Sequence, residues 1–88
     1  MPLDTVYLEN QSWTKVNVEA VIGNNSNPES NQSLGTKLLH KGDSWKIDSD
    51  GEDIYYHRDA NPDNPDGSMT LWTHRPCYGN GSVYHEKV

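Results

Sequence analysis

The run Trp13–Ile22 constrains the fold more than any other part of the chain. Val16, Val18, Ala20 and Ile22 share one side of an extended backbone, and Lys15, Asn17 and Glu19 share the other. Successive side chains of a strand point to opposite faces, so such a run reads as a strand with one face buried. Shorter runs of the same kind lie at Thr5–Glu9, Gly35–His40, Ser44–Ile47, Ile54–Arg58, Thr70–Arg75 and Ser82–Val88. In Ser44–Ile47 the apolar side carries Trp45 and Ile47. Between the runs stand turn-forming stretches: Asn10–Ser12, Gly23–Ser33, Lys41–Asp43, Asp48–Asp53 and Tyr78–Gly81.

No segment carries apolar residues at helical spacing, so essentially no helix is expected. Several short strands with regular turn signals predict an all-β fold. The expected architecture is one domain over residues 1–88, a small antiparallel β-sandwich of about seven short strands, immunoglobulin-like or related. The single cysteine, Cys77, rules out the disulfide framework of an immunoglobulin domain. With strands alternating in direction, Gly23–Ser33, Asp48–Asp53 and Pro76–Gly81 gather at one end. Asn10–Ser12, Lys41–Asp43 and Asp59–Met69 gather at the other.

Composition bears on whether such a chain can hold a core. Only 32% of residues are apolar and Phe is absent, which alone leans towards disorder. Three Trp and five Tyr offset this, because each aromatic buries roughly 150–250 Å². A thin core is expected, with a homodimer through the final strand Ser82–Val88 as a way to extend it.

The net charge of −6 disfavours nucleic acid, whose phosphates need clustered Lys and Arg. No apolar stretch is long enough for a membrane span or a signal-peptide core. A lone cysteine favours a cytoplasmic protein over a secreted one, with a mature secreted domain as the alternative. Four N-x-S sequons, at Asn10, Asn24, Asn31 and Asn80, carry meaning only along a secretory route.

The segment Ile54–Pro76 concentrates chemistry. It holds two of the four histidines and both arginines. A connecting loop centred on Asn64 sets His57 opposite Trp72, and opposite residues share a face. Tyr55, His57, Trp72 and His74 then form one face, and Ile54, Tyr56, Leu71 and Thr73 form the core face. The first set is a platform of flat rings with polar edges, suited to a sugar ring or another planar group. A one-residue slip exchanges the faces and sends Trp72 into the core. Arg58 and Arg75 are expected to pair with Asp59 or Asp53.

The acidic loops offer hard oxygen ligands of the kind calcium takes: Asp48, Asp50 and Asp53, then Asp59, Asp63 and Asp66. Asp59-Ala-Asn61-Pro-Asp63 opens like a calcium loop, but Asn64 and Thr70 stand where that loop needs Gly and Glu. Ordinary turn chemistry explains the same residues. No zinc-ligand spacing, nucleophile elbow or phosphate loop is present. A Cys77–His74 thiol pair would straddle opposite faces of one strand.

The chain therefore reads as a non-enzymatic binding or interaction module. Its expected ligand, a carbohydrate or a protein, contacts Tyr55, His57, Trp72 and His74. The alternative is a calcium-stabilised structural or adhesion module using the acidic loops.

Overall fold

The computed structural model describes residues 2–62, 69 and 71–88. Seven strands follow one another: β1 (Asp4–Glu9), β2 (Lys15–Ile22), β3 (Gln32–His40), β4 (Ser44–Ser49), β5 (Ile54–Arg58), β6 (Thr73–Arg75) and β7 (Val83–Lys87). Among the described residues the one helical element is a 3-10 turn, Pro28–Ser30. The strands form a three-stranded sheet in the order β4-β1-β7 and a four-stranded sheet in the order β3-β2-β5-β6. This is a small all-β sandwich, as the alternating runs predict.

Strands β1, β2, β4 and β5 bury the side that their pattern marks as apolar. Val6, Leu8, Trp45 and Ile47 come from the three-stranded sheet. Val16, Val18, Ala20, Leu39, Ile54 and Tyr56 come from the other sheet, and together these residues make the core with Cys77. In β2 the alternation survives a bulge. Ala20 pairs with Gly35 and Val21 with Ser33, so Leu34 is the extra residue of β3. A bulge bends its strand and sharpens the twist without reversing the faces of its partner.

The loops collect at the two ends as strand alternation requires. At one end the buried Asn10 clips two turns together. Its Nδ2 donates to the carbonyls of Trp13 at 2.8 Å and Leu39 at 2.9 Å, and its Oδ1 accepts from Trp13 N at 2.9 Å. Gly42 N donates to Asn10 O, and Lys41 N to Thr14 O. Buried in this way, Asn10 offers no amide for a glycan in the folded chain.

At the other end Asp53 and Asp4 do the joining. Gly23 N donates to Asp53 O, and Asp53 N donates to Asn24 Oδ1. Asp4 is fully buried, and its carboxylate accepts four backbone N–H groups from the turn before β7: Tyr78 at 2.7 Å, Gly79 at 3.0 Å, Asn80 at 2.9 Å and Ser82 at 3.0 Å. Gly79 and Gly81 take φ of 67° and 80° there, the left-handed region that glycine enters without steric cost. The clamp seats β7 alongside β1 in parallel register, Thr5 opposite Val83 through Glu9 opposite Lys87.

Candidate functional site

The hairpin of β5 and β6 pairs Ile54 with Arg75, Tyr55 with His74 and Tyr56 with Thr73. This register is the one a loop centred on Asn64 requires. Ile54 and Tyr56 point into the core, so Tyr55 and His57 point outward. Two members of the expected core face, Leu71 and Thr73, depart from it. Leu71 is 91% exposed, because β6 begins only at Thr73 and the preceding residues leave the sheet. Thr73 is exposed as well, and Thr70 lies outside the described residues.

The four rings meet as two stacked pairs. His57 lies on Trp72 with ring centroids 3.6 Å apart and planes 12° from parallel. His74 lies on Tyr55 at 4.4 Å and 4°. Each histidine also meets a carboxylate edge-on. His57 Nε2 is 2.6 Å from Glu19 Oε1, and His74 Nε2 is 2.7 Å from Asp53 Oδ2. An ionised carboxylate only accepts, so each of these ring nitrogens carries a proton and donates it. Stacking on one face and bonding at the edge leave little freedom to turn. Trp72 is half-buried and outside the core, and the His74 side chain is 46% exposed. Tyr55 and the His57 side chain, at 11%, are largely covered.

The same trio recurs on the other sheet, where Tyr7 and His85 stack at 5.2 Å and His85 Nδ1 meets Glu9 Oε2 at 2.8 Å. Glu19 went unseen in the sequence because its partner His57 stands 38 residues away. Only the pairing of β2 with β5 places the two opposite each other.

Behind the hairpin a polar cluster ties the sheets together. The Tyr56 phenol faces the Glu86 carboxylate and Thr73. Burial and the nearby Glu86 charge push this phenol up to about 12. Arg75 Nε stands 3.5 Å from Glu86 Oε1, and its guanidinium covers the Tyr84 ring at 4.5 Å. So Arg75 meets Glu86 and not Asp53. Arg58 lies over Trp13 at 5.0 Å and donates from Nη1 to the Asp59 carbonyl at 2.7 Å.

The acidic residues are spread across separate tasks. Asp48 Oδ1 accepts from Thr5 Oγ1 at 3.1 Å. Asp53 accepts from Cys77 N at 3.1 Å as well as from His74. Asp59 is buried, and its Oδ1 accepts from Asn61 N at 3.0 Å, an Asx turn. Asp50 is exposed, and Asp63 and Asp66 lie outside the described residues. Among the described residues no three His, Cys, Asp or Glu side chains are grouped to hold a metal ion.

Cys77 and His74 share Asp53 and do not bond one another. The Cys77 thiol is buried, and burial with the charges of Asp4 and Asp53 pushes it up from its ordinary value. Such a thiol stays protonated and is a poor nucleophile.

Comparison with protein-family models, curated proteins and solved structures found no match. No helix among the described residues is long and apolar enough to cross a membrane.

Proposed function

We propose that the protein is a non-enzymatic binding module whose ligand is a carbohydrate lying across Trp72 and His74. The observation that carries this reading is the pair of carboxylate-anchored ring stacks on one outward face. Rings already held in place lose little freedom when a ligand arrives, which lowers the cost of binding. An indole face accepts the apolar C–H face of a pyranose, and the polar edges beside it meet hydroxyl groups. Among the described residues the printed partners of the two stacked histidines are carboxylates, and the one thiol is buried and pushed up from its ordinary value.

A glycan array run with calcium and again with chelator tests the reading. Hits in both conditions that disappear in Trp72→Ala, with melting temperature unchanged, support it. Trp72 stands outside the core, so this substitution is expected to cost binding and spare the fold. Hits only with calcium would move the ligand to the acidic loops. A blank array would replace the sugar with a protein partner.

A further inference from the structure

The turn leading into β7 carries the one Asn-Gly pair of the chain, Asn80-Gly81, followed by Ser82. Asn80 and Gly81 are exposed, whereas Gly79 before them is buried. From Tyr78 to Ser82 every backbone N–H but one donates to Asp4. The exception is Gly81 N, which has no acceptor among the described residues. Asn80 Oδ1 is held two residues further on, accepting from Ser82 N at 3.2 Å and from Ser82 Oγ at 2.5 Å. The bond to Ser82 N closes an Asx turn, a ring with Gly81 N inside it. The Asn80 side chain is thus folded back over its own peptide bond to Gly81. Gly81 has no Cβ to shield that nitrogen, and its φ of 80° costs glycine nothing. An amide carbon held beside a nitrogen nucleophile meets the first requirement of an intramolecular reaction, which is proximity.

We propose that Asn80 is a self-modification site, whose side-chain amide closes on Gly81 N to a cyclic imide that water opens to aspartate or isoaspartate. Gly81 N gives its proton to a solvent base and attacks Asn80 Cγ. The N–Cγ bond forms as the carbonyl electron pair moves onto Oδ1. There the Ser82 N–H and Oγ–H meet the developing charge, as the donors of an oxyanion hole do. The pair returns, the Cγ–Nδ2 bond breaks, and Nδ2 leaves as ammonia with a proton from water. Water then adds to either carbonyl of the imide. Opening at Cγ gives aspartate. Opening at the main-chain carbonyl gives isoaspartate, with the main chain rerouted through Cβ and longer by a carbon. Both products put a carboxylate on the residue whose N–H bonds Asp4 Oδ1 at 2.9 Å. Isoaspartate also changes the spacing between the Asn80 and Ser82 donors, which share that oxygen. Like charge and altered spacing both work against the Asp4 clamp, so the modification loosens β7 from β1.

To test this, the purified chain is held in mildly alkaline buffer, folded and again unfolded in urea. Conversion at Asn80 is followed by peptide-mapping mass spectrometry and by ammonia release. Expected is faster conversion in the folded chain than in urea. Ser82→Ala keeps the N–H to Asp4 and loses the hydroxyl. It should slow the folded rate about tenfold, as loss of a donor to a developing oxyanion does, and leave the rate in urea as it was. The converted chain, separated on anion exchange by its extra negative charge, should melt below the unconverted one. Conversion no faster in the folded chain than in urea would overturn the site, and that comparison needs no variant. A folded rate untouched by Ser82→Ala would overturn it too. Equal melting of the converted and unconverted chains would overturn the effect on the clamp.

Discussion

Two buried polar residues hold this small domain in register, and neither has an apolar reason to be where it is. Asp4 is the sharper case. Burial raises its carboxyl, four backbone N–H bonds outweigh that, and the group sits below its ordinary value of 3.8. A carboxyl lowered by folding adds stability that is fully present above the unfolded value. That stability is lost as pH falls through the folded one. Melting temperature should therefore fall as pH drops below about 3.8. Asp4→Asn should melt well below wild type at neutral pH and show less of that acid dependence. An Asp4→Asn variant with wild-type melting at pH 7 would contradict the clamp. Asn10→Ala strands the carbonyls of Trp13 and Leu39 and the N–H of Trp13. The expected loss is about 2–3 kcal/mol, or about 10–20 °C in a domain of this size, read by calorimetry.

At the level of single elements, the β5–β6 hairpin shows what sequence can and cannot reveal. Its register was left open by the sequence, since a one-residue slip of the loop reverses the faces, and the pairing of Tyr55 with His74 is the one a loop centred on Asn64 gives. The partners across the sheet were not legible. Glu19 comes from β2, Asp53 from a turn, and Glu86 from the other sheet. Leu71 was misplaced because period two was extended past the point where β6 stops. Strand existence was readable from alternation, but bounds were not: β3 starts at Gln32, inside the stretch read as a loop, and β6 is only Thr73–Arg75. Assignment of each strand to a sheet depends on long-range pairing, and β1 beside β7 has no local signal. Asp4 was invisible for the same reason, since its donors lie 74 or more residues away. The hairpin also carries a spectroscopic test. Tyr56, raised to about 12, should ionise in a late step of the ultraviolet phenolate titration. An acid raised by folding keeps its stabilising effect below the unfolded value and loses it as pH climbs through the folded one. Tyr56→Phe should remove the late step. If the full titration is unchanged in that variant, the Glu86 contact is absent in solution.

For the whole molecule, the domain closes on its own core. Its radius of gyration is 12.6 Å, close to the roughly 12 Å of a compact chain of this length. Its accessible surface of 5000 Å² matches the roughly 5200 Å² expected of a compact monomer at 10.0 kDa. The final strand, β7, pairs with β1 alone and stands at the edge of its sheet, as its sequence implied, while its Glu86 side chain reaches Arg75 of the neighbouring sheet. The long exposed edge is β3, nine residues with only Leu39 buried. Lys37 guards it, with its ammonium 5.1 Å above the Trp45 ring. Charged side chains turned inward on an edge discourage pairing with another copy. Light scattering of wild type should give one chain at high concentration, and Lys37→Thr should give a larger mass. Equal masses would remove the guard role from Lys37.

The parallel pairing of β1 and β7 has a mechanical consequence. Tension applied at the two terminal strands pulls them along their length in opposite directions. The load falls on the pairs from Thr5–Val83 to Glu9–Lys87 at once, with the Asp4 clamp in series. A hairpin pulled from its open end gives way one rung after another, whereas this ladder must shear as a unit. A domain with a thin core would then resist stretching along this axis more than the size of its core suggests.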